Sequence, residues 1–264
     1  MLSNAQVIDQ IQIVSPESLY KKNRLISKRK TDTGKRYCDI VAQYLINHND
    51  FFDTIQTIDR VESYYTKSHR VLSPKEHEKI HNKRRQEEWI ARSFLYQTLD
   101  LHDFIGTFID YQVPIKKKQS DKAGKIDLLS YNNAHNKFYL IEFKQEDSTE
   151  PVLRAILEAY TYCKQINHDK LRKDYCNIVT KKLAKCDQPH DGIDVMDADV
   201  RPAVLIYDNS IQKEEAEKYP DIIKLADVLN VKMVLLSKHS TPPSMDRLYN
   251  IQKTHVPGSS SVWH

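Results

Sequence analysis

Glycine is scarce in this chain, five residues in 264. With ordinary apolar content and a high charged fraction, that excludes a collagen-like or disordered chain and points to a soluble globular protein. No apolar stretch is long enough to cross a bilayer, so no membrane partner is expected. The first ten residues, Met-Leu-Ser-Asn-Ala-Gln-Val-Ile-Asp-Gln, lack the basic start and apolar centre of a signal peptide, which makes the cytoplasm the expected compartment. Cysteine is sparse as well. Cys38, Cys163, Cys176 and Cys186 form no Cys-x-x-Cys pair and no tight Cys/His spacing, so a zinc site is not expected and the thiols read as reduced and mostly buried. The eleven histidines are scattered, and a pair such as His77 and His81 reads as surface residues. There is no internal repeat and no low-complexity tract.

What the chain does have is clustered charge. The formal net charge is only +4, yet basic residues group at Lys28-Arg29-Lys30, at Lys83-Arg84-Arg85, and at Lys116-Lys117-Lys118 with Lys122 and Lys125. That distribution is compatible with a phosphate-rich partner.

Residues 1–72 read as a polar, helical N-terminal region, with Ile40, Val41, Tyr44 and Leu45 at helical spacing in Cys38–Asn47. Lys28–Arg36 reads as an exposed basic loop, and Phe51-Phe52 and Tyr64-Tyr65 as docking aromatics. Residues 73–241 read as the principal domain. Ser73-Pro74 has the cap-plus-proline form of a helix start, and the helix it opens contains Glu87-Glu88-Trp89-Ile90-Ala91. A first strand follows within Phe104–Lys117, with Tyr111, Val113 and Ile115 alternating, and then a turn at Ser120–Gly124. Ile126–Tyr131 and Phe138–Lys144 read as adjacent strands of a hairpin turned at Asn-Asn-Ala-His-Asn. Thr149-Glu150-Pro151 predicts a second helix start, and Leu171–Cys186 a further helix. Asp187–Asp199 reads as an acidic surface loop. Pro202–Tyr207 and Val231–Leu236 read as buried parallel strands on either side of one helix, Lys213–Val228. The segment 242–264 reads as a loose tail.

The hairpin brings chemistry together. Side chains alternate along a strand, so Glu142 and Lys144 point to one side, roughly 7 Å apart, while Tyr139, Ile141 and Phe143 face the other. Asp127 interrupts the neighbouring strand at a facing position. In a chain rich in Glu and Lys, one Glu-x-Lys is expected by composition alone. The setting carries the argument: an apolar strand end, an isolated Asp beside it and an acidic helix before both. A purely structural account needs these charges to form a salt-bridged cluster at the sheet edge, because unpaired buried charge is costly.

Two adjacent carboxylates form a hard oxygen cage suited to Mg²⁺ or Mn²⁺. Asp127 and Glu142 are the expected ligands, with the carbonyl of Phe143 as a backbone donor. Lys144, beside them, is placed either to accept a proton or to stabilise transition-state charge as a cation. An acidic residue on the preceding helix completes the set. Glu88 is favoured because it shares a face with Ala91, Arg92 and Leu95; Glu87 shares one with Ile90, Ala91 and Phe94.

Taken together, the Glu88 helix, Tyr111-Gln112-Val113-Pro114, Gly124-Lys125-Ile126-Asp127-Leu128-Leu129, Ile141-Glu142-Phe143-Lys144 and the helix from Pro151 resemble the PD-(D/E)XK nuclease superfamily, over roughly residues 75–237. The resemblance implies an α/β restriction-endonuclease-like fold, a mixed central sheet flanked by helices, to which this chain adds an N-terminal helical extension. It also implies a Mg²⁺-dependent site at one sheet edge that leaves a 5′-phosphate. The family's aspartate matches Asp127, its acidic couplet member Glu142 and its lysine Lys144. Ile126 stands where the pattern has proline, which has no chemical role. The helix after the lysine carries Arg154, Glu158 and Tyr160 in place of the glutamine or tyrosine of many relatives, so no catalytic role is transferred to it, and Arg154 reads as part of a solvated helix face.

The leading expectation is therefore a DNA endonuclease in which Arg84, Arg85 and the basic loop Lys116–Lys125 track phosphates. A homodimer with two sites would serve cleavage of both strands. The alternatives on the same fold are a non-catalytic nucleic-acid-binding module and a nuclease gated by a partner or small ligand.

Overall fold

The computed structural model describes residues 1–66, 90–92, 94–95, 100–101, 104–117, 124–185, 194–238 and 251–253. Their central feature is a mixed sheet whose strands lie in sequence order: β1 (Asp100–Leu101), β2 (Gly106–Pro114), β3 (Lys125–Asn132), β4 (Lys137–Phe143), β5 (Asp199–Tyr207), β6 (Lys232–Lys238) and β7 (Ile251–Lys253). The strands β1 to β4 form an antiparallel meander. β5 then pairs parallel with β4, and β6 parallel with β5. The predicted hairpin and parallel pair are both present.

Helices make the parallel crossings. α3 (Val152–Gln165) and α4 (His168–Lys185) lie between β4 and β5, and α5 (Ile211–Lys218) and α6 (Pro220–Val228) between β5 and β6. The single helix predicted over 213–228 is two, because Pro220 has no N–H to donate and its ring clashes with the preceding turn. It serves instead as the first residue of α6. The Thr149-Glu150-Pro151 start is real, but no side chain of that tripeptide caps α3. The buried Glu215 of α5 does so, its Oε2 accepting the Val152 N–H at 2.8 Å, which places a carboxylate at the positive end of the helix.

Both faces of the sheet are covered, as parallel strands require. On one face Phe138, Leu140, Val204 and Ile206 of β4 and β5 lie under α3, and Leu129 and Tyr131 of β3 join the same core. The N-terminal region closes the same core. α2 (Tyr37–Asn47) lies on α6, a 3-10 turn at Pro16–Lys21 lies on α3, and α1 (Asn4–Gln12) lies on α2. The docking aromatics are placed as predicted. Phe52 packs edge-on against Tyr160 at 5.0 Å, and the buried Tyr64 hydroxyl accepts the Asn167 N–H.

On the other face Leu128, Tyr139, Ile141, Phe143, Leu205 and Tyr207 meet the helical residues Ile90, Ala91 and Phe94. Phe94 stacks on Phe108 and meets Phe143 edge-on, at 5.2 and 5.5 Å.

Three expectations are corrected. Tyr111, Val113 and Ile115 do not alternate regularly: Tyr111 enters the second core and Val113 and Ile115 the first. The strand kinks between them at Gln112, whose φ is +49°. The tail is not loose throughout, because Ile251–Lys253 pairs antiparallel with β6. Nor is the basic loop exposed throughout: residues 28–30 and 32–35 are exposed, but Thr31 is buried and the half-buried Arg36 pairs with Asp39 and lies over the Tyr219 ring.

Among the described residues, no helix is long and apolar enough to cross a membrane.

Candidate functional site

Asp127 lies in β3 between the buried Ile126 and Leu128 and is itself half-buried. Its carboxylate is fixed from two strands: Gln112 Nε2 donates to Oδ1 at 3.0 Å, and the Phe143 backbone N–H donates to Oδ2 at 3.1 Å. The second bond ties Asp127 directly to the Glu-Phe-Lys tripeptide. Gln112 does so from the left-handed conformation, which a residue with a Cβ adopts only at some cost.

Glu142 follows Phe138 and Leu140 on the α3 side of β4, and lies opposite Val204 of β5. Lys144 stands one residue beyond β4, where its backbone N–H extends the parallel ladder by donating to Leu205 O at 3.0 Å. Strand alternation therefore puts Asp127, Glu142 and Lys144 on one side and Phe143 in the opposite core.

Glu142 and Lys144 are only 6% and 4% exposed. Lys144 Nζ lies 2.8 Å from Glu142 Oε1 and 2.7 Å from Glu150 Oε2. From there a polar stripe runs along α3. Arg154 Nη1 meets Glu150 Oε1 at 2.6 Å, and its Nε lies 3.7 Å from Glu158 Oε2, an ion pair too long for a hydrogen bond. The Tyr162 hydroxyl donates to Glu158 Oε1 at 2.7 Å and accepts from Tyr20 of the Pro16–Lys21 turn at 3.2 Å.

Four carboxylates, those of Asp127, Glu142, Glu150 and Glu158, thus face two cations, Lys144 and Arg154. The imbalance falls on Glu142, whose carboxyl is pushed well above its usual range by burial and then by the Asp127 charge, with a smaller push from Glu158, against the pull of Lys144. Burial pulls the Lys144 ammonium down, but Glu142 and Glu150 outweigh it and hold the group protonated. Of the two roles expected for Lys144, this arrangement suits the cation.

Among the described residues, no group of three or more His, Cys, Asp or Glu side chains is arranged to hold a metal ion. No protein family, no curated protein and no solved structure matches the chain.

The remaining site residues divide. Glu87, Glu88, Arg84, Arg85, Lys118 and Lys122 lie outside the described residues. The helical residues Ile90, Ala91 and Phe94 pack on the sheet face opposite to Glu142. Lys117 and Lys125 are exposed, while Lys116 is half-buried, its carbonyl accepting from Arg60 Nη1 at 2.6 Å.

Sequence reasoning missed Gln112, Glu150 and Tyr162, and it left Arg154 on a solvated helix face. Arg154 is in fact three-quarters covered and held between two carboxylates. Part of the signal was present: positions 154, 158 and 162 recur every four residues and so share one face of α3, whereas Glu150 lies just before the helix. A separate cleft of 610 Å³, lined in part by Tyr160, Cys163, Lys164, His168 and Arg201, lies at the far end of α3 and takes no part in this cluster.

Proposed function

We propose that the chain is a metal-dependent nuclease of the PD-(D/E)XK kind, hydrolysing the phosphodiester bonds of DNA. The supporting observation is that Asp127, Glu142 and Lys144 share one side of adjacent strands, with the Glu142 carboxyl paired to Lys144 and pushed well above its usual range by burial and then by the Asp127 charge beside it.

The donor set fits a hard divalent cation. Asp127 and Glu142 are both oxygen donors, and an ion between them would relieve the repulsion by Asp127 that, after burial, raises the Glu142 titration. With the Phe143 carbonyl they would hold Mg²⁺ or Mn²⁺, which supplies Lewis-acid stabilisation of the phosphate oxygens. Gln112 and the Phe143 N–H fix the Asp127 carboxylate, so that little reorganisation remains when substrate binds. Lys144 supplies a fixed positive charge for the oxygens on which charge grows as water attacks phosphorus and the P–O bond to the leaving group breaks. Lys117 and Lys125, exposed near the start of β3, would contact the backbone without reading sequence. Glu87 or Glu88, Arg84, Arg85, Lys118 and Lys122 belong to the same proposal on the sequence pattern alone.

One observation favours a second reading, a nuclease gated by a partner: Lys144 is closed in between Glu142 and Glu150 and is almost wholly buried. The test is cleavage of supercoiled plasmid and of labelled single-stranded DNA and RNA, with Mg²⁺, Mn²⁺ or EDTA, comparing wild type with Glu142→Ala and Lys144→Ala. Metal-dependent cutting lost in both variants is the expected result. Folded protein that binds nucleic acid but cuts none of these substrates would move the assignment to the gated or non-catalytic module.

A further inference from the structure

The cluster does not end at Lys144. From Glu142 a continuous line of polar contacts passes through Lys144, Glu150, Arg154, Glu158 and Tyr162 to Tyr20, with separations of 2.8, 2.7, 2.6, 3.7, 2.7 and 3.2 Å. Tyr20 belongs to the N-terminal region, 142 residues away in sequence from its partner Tyr162. We propose that Glu150 is a positioning residue for Lys144, and that the N-terminal region, through Tyr20 and Tyr162, controls the geometry of the site. This rests on the nuclease reading and extends it to regulation of the same site.

Three observations carry the inference. Lys144 has no covalent reason to lie where it does, since it is past the end of β4 and its side chain has four rotatable bonds. Two carboxylates fix it, and Glu150 is the one outside the metal-ligand pair. Glu150 is in turn held by Arg154, so its own position depends on the α3 stripe.

The Tyr162 hydroxyl is a junction. It contacts Glu158 and Tyr20, and it lies so close to Gly124 that a Cβ there would fall 1.9 Å from it. Gly124 is the residue before β3, the strand that carries Asp127. One hydroxyl therefore touches the start of the Asp127 strand, the stripe that leads to Lys144, and the N-terminal region.

That region holds α3 at a second point. Lys28 pairs with Glu215, the same carboxylate that caps the α3 N-terminus. A rigid helix anchored by one segment at both its start and its Tyr162 turn cannot shift without moving Glu150 and Arg154. A partner that displaced the Pro16–Lys21 turn would loosen Lys144 with no contact at the site.

The experiment combines two readouts on the full chain, for wild type, Glu150→Gln, Glu150→Asp, Tyr20→Phe and Tyr162→Phe, each first confirmed as folded by circular dichroism. Competitive acetylation with acetic anhydride, mapped by mass spectrometry, measures the reactivity of Lys144 against the exposed Lys224. Steady-state cleavage gives kcat and KM separately. Expected are a rise in Lys144 acetylation of about threefold, the population change that one lost hydrogen bond gives, in Glu150→Gln, Tyr20→Phe and Tyr162→Phe. In the same variants kcat falls about tenfold with KM unchanged, and Glu150→Asp recovers part of both.

Wild-type acetylation in Glu150→Gln and Tyr20→Phe would overturn the inference whether or not the protein cuts. So would raised acetylation with unchanged kcat, since Lys144 would then have moved without consequence. A folded wild type that cuts nothing under any metal would move the assignment to the gated or non-catalytic module, while the acetylation result would still decide how Lys144 is held.

Discussion

Gln112 reaches across from β2 to donate its side-chain amide to Asp127 Oδ1 at 3.0 Å, and it does so with φ at +49°. A strained backbone and a fixed carboxylate occur at the same place, which is how strand interiors bear strain when a side chain has to be aimed. Gln112→Ala keeps the strain and loses the bond, and is expected to lower stability by about 1 kcal/mol. Gln112→Gly loses the bond but relieves the backbone, and is expected to be the more stable of the two in urea unfolding. The reverse order would show that the left-handed backbone at this position carries no strain for glycine to relieve.

Glu142→Gln removes a buried charge whose neighbours oppose it, and is expected to stabilise the chain in EDTA by about 1 kcal/mol at neutral pH while abolishing metal-dependent cleavage. The pH dependence has a definite sign. The folded state holds the Glu142 proton to higher pH than the unfolded chain, so the group favours folding below its unfolded value and that contribution is lost as pH rises through the folded one. The advantage of Glu142→Gln should therefore grow from acid to neutral pH. Thermal unfolding of both proteins between pH 5 and 8 measures it, and a constant or shrinking difference would contradict the assignment.

Gly124→Ala is expected to cost about 1–3 kcal/mol, the usual range for overpacking a closed site. Tyr162→Phe should not rescue it, because the added Cβ would still lie 2.4 and 2.9 Å from Tyr162 Cζ and Cε1. Tyr162→Leu, which removes the ring, should restore part of the loss. Denaturant midpoints of the single and double variants separate these cases.

Cys38 and Cys163 are buried, and burial pushes each thiol up to about 12. At pH 8 about one molecule in ten thousand would then carry either thiolate. Iodoacetamide should leave both unmodified in the native protein and label them after denaturation, whereas the half-exposed Cys176 should react first. Prompt native labelling of Cys163 would show that the α3 core opens.

The sheet was legible because its strands differ from their surroundings in period and in residue type. The alternation through Phe138–Phe143, with Glu142 opposed to Phe143, follows from the two-residue repeat of a strand, and both cores divide it as the sequence predicts. The register of Asp127 beside the Glu-x-Lys tripeptide followed from hairpin geometry. Local rules failed where one residue answered to a distant partner. Gln112 looks like any polar strand residue, and nothing local marks either its kink or its bond to Asp127. Tyr219-Pro220 splits a continuous helical pattern, a break that the proline announced.

The amino-acid sequence by itself determined which side chains carry charge into the sheet, and on which side, because strand and helix periods are properties of the backbone. Only the tertiary structure decided what those charges meet. That Lys144 lies between Glu142 and Glu150, that Glu215 caps a helix begun 63 positions earlier, and that Tyr20 touches Tyr162 depend on how separate elements pack. Such contacts are set by the shape and burial of the whole core, and no local window of residues contains them.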